Sequence, residues 1–193
     1  MTDELVPRSF HHAARLVRLL TWLHLALAGT LFLVATSALA VDVTLRYVLA
    51  APIAGMHEAV TLAFTFVFLL GGAALYARNE DIVLELVYQR LPVPVQRYMV
   101  LVVYMAIVVA LAVVLYHTFR LIDIQWNLPT PALRVPQAMF AVPVAIASVS
   151  IILTSLVECW ACVLWIGKGS RPPVWPGMGT GTVPNQTERE VKS

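Results

Sequence analysis

Two histidines, His57 and His117, have the side-chain chemistry and the positions to bind a cofactor. They lie at the outer ends of the second and third of four apolar segments, and one imidazole from each of two helices can hold a haem iron between them. The sequence does not decide whether the two rings face each other, and interfacial histidines without a ligand role are commoner. A haem-binding electron-transfer subunit is therefore an alternative function, while no cofactor is expected in this chain.

Two cysteines, Cys159 and Cys162, form a C-x-x-C motif late in the fourth apolar segment. On a helix this spacing places both thiols on nearly the same face. A tetrahedral metal site would need two further ligands, which no nearby pair supplies. Attachment of a c-type haem requires a histidine after the second cysteine, where Val163 stands. We therefore interpret the motif as two small buried side chains, and no metal is expected.

Charged side chains flank the apolar segments instead of lying within them. Asp42 and Arg46 are four residues apart, so they share a face if the first helix continues through them. Glu58 lies at the start of the second segment and Glu158 at the end of the fourth. Ionisable groups inside a membrane mark ion pathways, but these positions favour interfacial charges at helix ends. A sharper hypothesis pairs Arg46 with Glu58 and thereby fixes the outer ends of the first two helices.

The composition of the chain is that of an integral membrane protein. Of its 193 residues, 60% are hydrophobic and 12% are charged, whereas soluble domains carry about 25% charged residues. The net charge of +2 is too small to suggest binding to nucleic acid. The sequence contains neither a Gly-rich phosphate loop nor a recognisable Ser/His/Asp set, so no enzymatic activity is predicted.

Four apolar segments are long enough to cross a membrane as helices. A helix needs about 20 residues to cross a hydrocarbon core of roughly 30 Å, and none of the four segments contains Lys, Arg, Asp or Glu. The first exceeds the roughly 7–15 apolar residues of a signal peptide, so we interpret it as an uncleaved span. The predicted fold is an all-α integral membrane domain over residues 19–166, with spans at 19–41, 59–77, 98–119 and 138–157.

The distribution of positive charge predicts that both termini are cytoplasmic. In that orientation ten of the 13 Lys and Arg residues lie inside, and only Arg46, Arg120 and Arg134 lie outside. An excess of Lys and Arg on the cytoplasmic side is typical of membrane proteins. Residues 1–18 are then a cytoplasmic N-terminal segment, and the Gly/Pro-rich residues 167–193 are predicted to form a disordered cytoplasmic tail.

A short amphipathic segment connects the second and third predicted spans. Over residues 82–91 apolar side chains recur at helical spacing, while Asp81, Glu85 and Gln89 form a polar stripe. At about ten residues the segment is too short to span, so it is predicted to lie flat at the cytoplasmic interface. An ordinary connector without function is an equally weighted alternative. The apolar residues are Ile82, Val83, Leu86, Val87 and Leu91.

Small residues in the second and fourth spans allow neighbouring helices to approach closely. These are Gly71 and Gly72, and the pair Ala141 and Ala145. Whether the close approach is within the chain or to a partner is left open. Pro143 is expected to kink the fourth helix by removing a backbone hydrogen bond.

Several short motifs follow one another across the four spans, from about Val41 to Glu158. They are Leu45-Arg46-Tyr47-Val48, Pro52-Ile53-Ala54-Gly55, Glu58, Phe68-Leu69-Leu70-Gly71, Arg78, Asp81-Ile82-Val83-Leu84-Glu85, Thr130-Pro131-Ala132-Leu133, Pro136 and Pro143. In this order and spacing the chain resembles the small membrane subunit (DctQ type) of tripartite ATP-independent periplasmic (TRAP) transporters. Asp81 stands where the family often has His, and Gly55 and His57 stand where many members have Trp and Glu. These departures bear on the subfamily and the substrate.

The resemblance implies a noncatalytic scaffold subunit in the bacterial inner membrane. In such transporters a large membrane subunit carries substrate and sodium and moves like an elevator, and a periplasmic solute-binding protein delivers an organic acid. The small subunit extends the fixed scaffold among the membrane lipids. Sodium is therefore expected on the large partner, and Arg46 and Glu58, which match motif positions, are expected to serve structure. A self-sufficient small exporter is a third hypothesis, but the first three spans and the centre of the fourth lack the membrane-embedded carboxylate that it requires.

Overall fold

The computed structural model describes residues 8–51, 53–78 and 93–168, and its regular structure there is helical. Four helices in this part of the chain are long and apolar enough to cross a membrane, which confirms the predicted all-α fold with four spans. The predicted interfacial helix at 82–91 lies outside the described residues, as do residues 169–193 of the predicted tail. The helices are α1 (Arg8–Val48), α2 (Met56–Ala77), α3 (Val93–Gln125) and α4 (Val142–Lys168).

The helices α1, α3 and α4 continue well beyond the predicted spans. At 1.5 Å per residue, the 41 residues of α1 extend about 60 Å and the 33 residues of α3 about 50 Å. The predicted spans end where charged residues begin, but a charged side chain does not by itself end a helix. Asp42 and Arg46 consequently lie within α1, and Glu158 lies within α4.

The α-helical part of α4 begins later than predicted. A short 3₁₀ segment, Gln137–Phe140, comes first, and the α-helix follows at Val142. Pro143 is therefore the second residue of the α-helix instead of an interior one. The first four N–H groups of an α-helix have no partner within the helix, so Pro143 has no backbone hydrogen bond to remove and the expected kink has no cause.

The four helices pack chiefly in the order α1, α2, α4, α3, which we call the helical row, and α1 also contacts α4 directly. An edge-to-face contact between Phe32 and Phe64, with ring centroids 6.1 Å apart, joins α1 to α2. A hydrogen bond of 2.7 Å between the hydroxyl groups of Tyr76 and Ser155 joins α2 to α4. Of the four spans, α4 is the most buried within the protein and α3 the least. Much of α3 therefore presents its apolar side chains outward.

Small side chains line the contacts between helices, although not at the predicted glycines. Ala141 and Ala145 are buried, as are Ala73 and Ala74. A Cβ atom added at Gly71 or Gly72 would meet nothing within 4 Å. Within the chain, α2 therefore packs on its neighbours at Ala73 and Ala74, whereas Gly71 and Gly72 face open space.

Candidate functional site

The turn between α1 and α2 is held by a buried carboxylate. Asp42, which is 2% exposed, accepts a hydrogen bond of 2.9 Å from the backbone N–H of Ile53. Its other oxygen accepts a bond of 2.8 Å from the guanidinium of Arg46, one helical turn further on. The bond to Ile53 connects the last turns of α1 to the segment that enters α2. We call the end of the protein that carries this turn and the α3–α4 loop the loop end.

A second carboxylate at the loop end holds the connection between α3 and α4. Glu58 lies in the first turn of α2. One of its oxygens accepts a hydrogen bond of 3.0 Å from the N–H of Ala132, and the other accepts one of 2.8 Å from the N–H of Leu133. Bonds from backbone N–H groups to a carboxylate are charge-assisted and stronger than bonds between neutral groups. Glu58 thereby fixes the loop 126–136 (the α3–α4 loop) against the start of α2.

The side chain of Leu133 packs on Gly55, directly before α2. Gly55 has a φ of 80°, in the left-handed region that glycine adopts without a steric penalty. A Cβ atom at this position would lie 2.9 Å from Cδ2 of Leu133. The N-terminus of α2 therefore contacts the α3–α4 loop through both a carboxylate and a close apolar contact.

The structure does not bring Arg46 and Glu58 together, so the predicted ion pair between them is not formed. Arg46 binds Asp42, which lies one turn away on the same helix. Glu58 instead accepts two backbone N–H groups of the α3–α4 loop. Neighbouring helix ends alone suggested the pair, but a long loop that folds back supplies donors that are invisible in the linear sequence.

The two histidines proposed as haem ligands lie on helices that do not pack closely on each other. His57 and His117 are both exposed; His57 lies on α2, which packs chiefly on α1, and His117 lies on α3, which packs chiefly on α4. The ring of His117 contacts Tyr116 beside it, with ring centroids 5.3 Å apart. Among the described residues, no group of three or more His, Cys, Asp or Glu side chains is arranged to hold a metal ion.

A polar strip on α4 occupies the half of the protein opposite the loop end. Ser155, Glu158, Cys159 and Cys162 follow one another at helical spacing, and all four are buried. The cysteines are free thiols. The prediction placed Glu158 at the membrane interface because the apolar segment ends before it. The i, i+3, i+4, i+7 spacing of small and polar residues was the signal that this face continues into the interior.

A further polar contact links α1 to α4 near the middle of the spans. His24 is 8% exposed, and its Nε2 lies 3.4 Å from the hydroxyl oxygen of Ser150. Ser150 also donates a hydrogen bond of 2.9 Å to the carbonyl of Ile146. Side-chain hydrogen bonds between helices stabilise membrane proteins by about 1 kcal/mol or less each. His24 is therefore a modest tie between the first and last helices.

Replacing Glu58 should release the α3–α4 loop. In Glu58→Ala both backbone donors lose their acceptor, so the amides of Ala132 and Leu133 should exchange with deuterium faster. Glu58→Gln keeps one acceptor oxygen and should show an intermediate rate. Hydrogen–deuterium exchange read by mass spectrometry on loop peptides measures this. Asp123→Ala, at an exposed carboxylate on α3, is the control and should leave the rates unchanged. Unchanged rates in Glu58→Ala would contradict the assignment.

Comparison with known families gives one match. The sequence model described as "Tripartite ATP-independent periplasmic transporters, DctQ component" matches residues 35–164. The matched segment begins within α1 and ends within α4, which is more than half of the chain. It includes Asp42, Glu58 and Glu158. A search of curated proteins found no significant match.

Proposed function

The chain belongs to the DctQ family of small membrane components of TRAP transporters, and from this premise we propose that it is the noncatalytic scaffold subunit beside a large elevator-type subunit. The large subunit would carry sodium and an organic acid, and a periplasmic solute-binding protein would deliver that acid. The family is a transporter component, and the four apolar helices make the chain a multi-pass membrane protein.

The observation that carries the proposal is the family match across all four spanning helices. The helical row supports it, because a row leaves more outward surface for a partner than a closed bundle does. Large apolar side chains are exposed along both edges of the row, for example Trp22 and Leu33 on α1 and Val102 and Val109 on α3. Membrane lipids or the large subunit would cover these edges.

Rigid connections at the loop end fit a part that stays fixed while its partner moves. Asp42 holds the α1–α2 turn, and Glu58 holds the α3–α4 loop. Both are structural uses of a carboxylate, which leaves transport of the ion to the large subunit in this proposal. Rigidity of this kind suits a scaffold, because an elevator subunit slides against it.

The same proposal places the chain in the bacterial inner membrane with both termini in the cytoplasm. The loop end then faces the periplasm, where it would lie near the solute-binding protein. The excess of Lys and Arg on the opposite side supports this orientation. The predicted helix at 82–91 would lie on the cytoplasmic face and hold the scaffold at a fixed depth.

Purification from the native membrane tests the proposed assembly. The tagged full chain is extracted in a mild detergent, and the chains that copurify are identified by mass spectrometry. We expect one many-helix membrane protein in stoichiometric amount. An unrelated four-helix inner-membrane protein with the same tag is the control for nonspecific capture. Recovery of the chain alone, or with redox subunits and a Soret absorption band, would overturn the proposal.

The haem-binding alternative finds no support in these observations. Its two candidate ligands, His57 and His117, lie exposed on helices that are not packed face to face. The matched family is a transporter component. We therefore retain the scaffold as the single proposed function.

A further inference from the structure

Glu158 lies deep in the interior of the helical row. Glu158 is 1% exposed, and it is one of the largest fully buried side chains among the described residues. The helix continues from Glu158 to Lys168, a distance of about 15 Å at 1.5 Å per residue. Glu158 is therefore neither at a helix terminus nor on the lipid-facing surface. It belongs to the face of α4 that packs on α2 and α3.

Neither carboxyl oxygen of Glu158 has a hydrogen-bond partner in the part of the chain that the structure describes. The other carboxylates on the described helices behave differently: two of them accept hydrogen bonds, and the third, Asp123 on α3, is exposed. Asp42 accepts bonds from a guanidinium and a backbone N–H, and Glu58 accepts two backbone N–H groups. Glu158 is the exception within the same fold, and the contrast requires a physical reason.

The titratable side chains that the structure describes around Glu158 supply no positive charge. Tyr104 on α3 and the thiols of Cys159 and Cys162 interact with it electrostatically. On α2 the hydroxyl of Tyr76 forms a hydrogen bond with Ser155, which lies one turn before Glu158 on α4. Phenols and thiols are neutral in their ordinary protonated forms.

The cations of the same half whose side chains the structure describes are exposed and not buried beside Glu158. On α1 these are His12, Arg15 and Arg18, and all three are exposed. Arg78, directly after α2, is exposed as well. The ion pair between Arg46 and Asp42 lies at the loop end. Within the described part of the chain, an ionised Glu158 would therefore be a charge that no hydrogen-bond donor compensates.

An unpaired ionised carboxylate in an apolar interior is strongly unfavourable, and such groups usually become neutral by taking up a proton. Carboxyl groups inside membrane domains that persist without a cation are accordingly functional candidates. We propose that Glu158 is a proton-binding site of the membrane domain, whose side chain is an uncharged carboxylic acid while the four helices are assembled. The ligand is a single proton. The inference does not depend on the scaffold function.

The protonation of Glu158 affects how tightly α4 packs on its neighbours. Loss of the proton would place an anion beside Tyr104 and the two thiols, none of which donates a hydrogen bond to Glu158 in the structure. The inner half of α4 would then be held less tightly against α2 and α3. Proton binding at Glu158 is thus a condition for tight packing in this half, opposite the loop end.

Infrared spectroscopy of the full chain in lipid bilayers tests the proposal. Glutamate labelled with ¹³C at the side-chain carboxyl shifts glutamate bands away from those of aspartate. At neutral pH we expect a carbonyl band of a protonated carboxylic acid that shifts with the label. The band should be absent from Glu158→Gln and retained in Glu58→Gln, whose carboxylate is engaged with N–H donors. Comparison with the unlabelled wild-type protein shows which carbonyl band shifts with the label.

Two results would overturn the proposal. In the first, Glu158→Gln loses intensity only in the bands of ionised carboxylate, because a cation outside the described residues neutralises Glu158. In the second, Glu158→Gln does not assemble, although Gln is the neutral isostere and should replace a protonated acid. A variant that elutes as a single species, with an unfolding temperature at or above that of the wild type, supports the proposal together with loss of the band.

Discussion

Asp42→Ala is expected to lower the free energy of unfolding by about 2–3 kcal/mol, since hydrogen bonds to charged groups contribute about 1.5–3 kcal/mol each. The buried Asp42 carboxylate is the acceptor for the Ile53 N–H at 2.9 Å and for Arg46 at 2.8 Å. The bond to Arg46 contributes the smaller share, because the side chain of Arg46 is 54% exposed and solvent screens the pair. Most of the loss therefore comes from the Ile53 amide.

Two variants separate these contributions. Asp42→Asn keeps an acceptor for the Ile53 N–H and removes only the ion pair, so it should lose about 1 kcal/mol or less. Arg46→Met removes the same ion pair from the other side and should match it. Titration with a denaturing detergent in mixed micelles, followed by circular dichroism, gives the free energies. If Asp42→Asn is as damaging as Asp42→Ala, the ion pair and not the turn contact holds the loop end.

The spans could be predicted because the length of an apolar segment is itself the physical requirement for crossing a bilayer. The segments at 59–77 and 98–119 lie wholly within α2 and α3. Helix ends could not be located in the same way. Solvation by lipid controls where charges are placed, whereas backbone hydrogen bonds control where a helix ends, and α1 continues past Asp42 for this reason.

The partners of the charged residues could not be predicted, because they depend on which segments meet in space. One hypothesis from the sequence paired Arg46 with Glu58, because both charges lie at adjacent helix ends. The actual partner of Glu58 is a loop that lies 74 and 75 residues further along the chain. No periodicity in the sequence reports such a contact.

The burial of Glu158 was not predicted, for a related reason. A span predicted from hydropathy ends at a carboxylate, because hydropathy values treat each side chain as if it faced lipid. The structure shows a face of α4 on which Ser155, Cys159 and Cys162 surround the acid. Burial among neighbouring helices, which a profile does not contain, decides whether such a group is an interfacial anion or an interior acid.

The two ends of the protein therefore use carboxyl groups in opposite ways. At the loop end, Asp42 and Glu58 are acceptors for backbone N–H groups, which suits ionised carboxylates. In the opposite half, Glu158 has no donor within the described residues, which suits a neutral acid. The first arrangement fixes loops at the water interface, and the second makes helix packing depend on a proton.

Ala74→Leu is expected to destabilise the helical row strongly. Ala74 is 0% exposed on α2, which packs on both α1 and α4. Extra carbon atoms in a well-packed interior displace their neighbours and typically destabilise a protein by about 1–3 kcal/mol. We expect the upper part of this range, because both adjacent helices would have to move. Thermal unfolding of the chain alone, followed as loss of the monodisperse peak in gel filtration, measures the effect.

Gly72→Leu is the matched control, two residues away on the same helix. A Cβ atom at Gly72 would meet nothing within 4 Å, so the chain alone should tolerate the larger side chain. Copurification of the large subunit provides a second readout for this variant. If Gly72 lies against that partner, Gly72→Leu should reduce copurification while the stability of the chain alone is unchanged. Equal destabilisation by Ala74→Leu and Gly72→Leu would contradict the packing, since it would mean that both faces of α2 are filled by the chain itself.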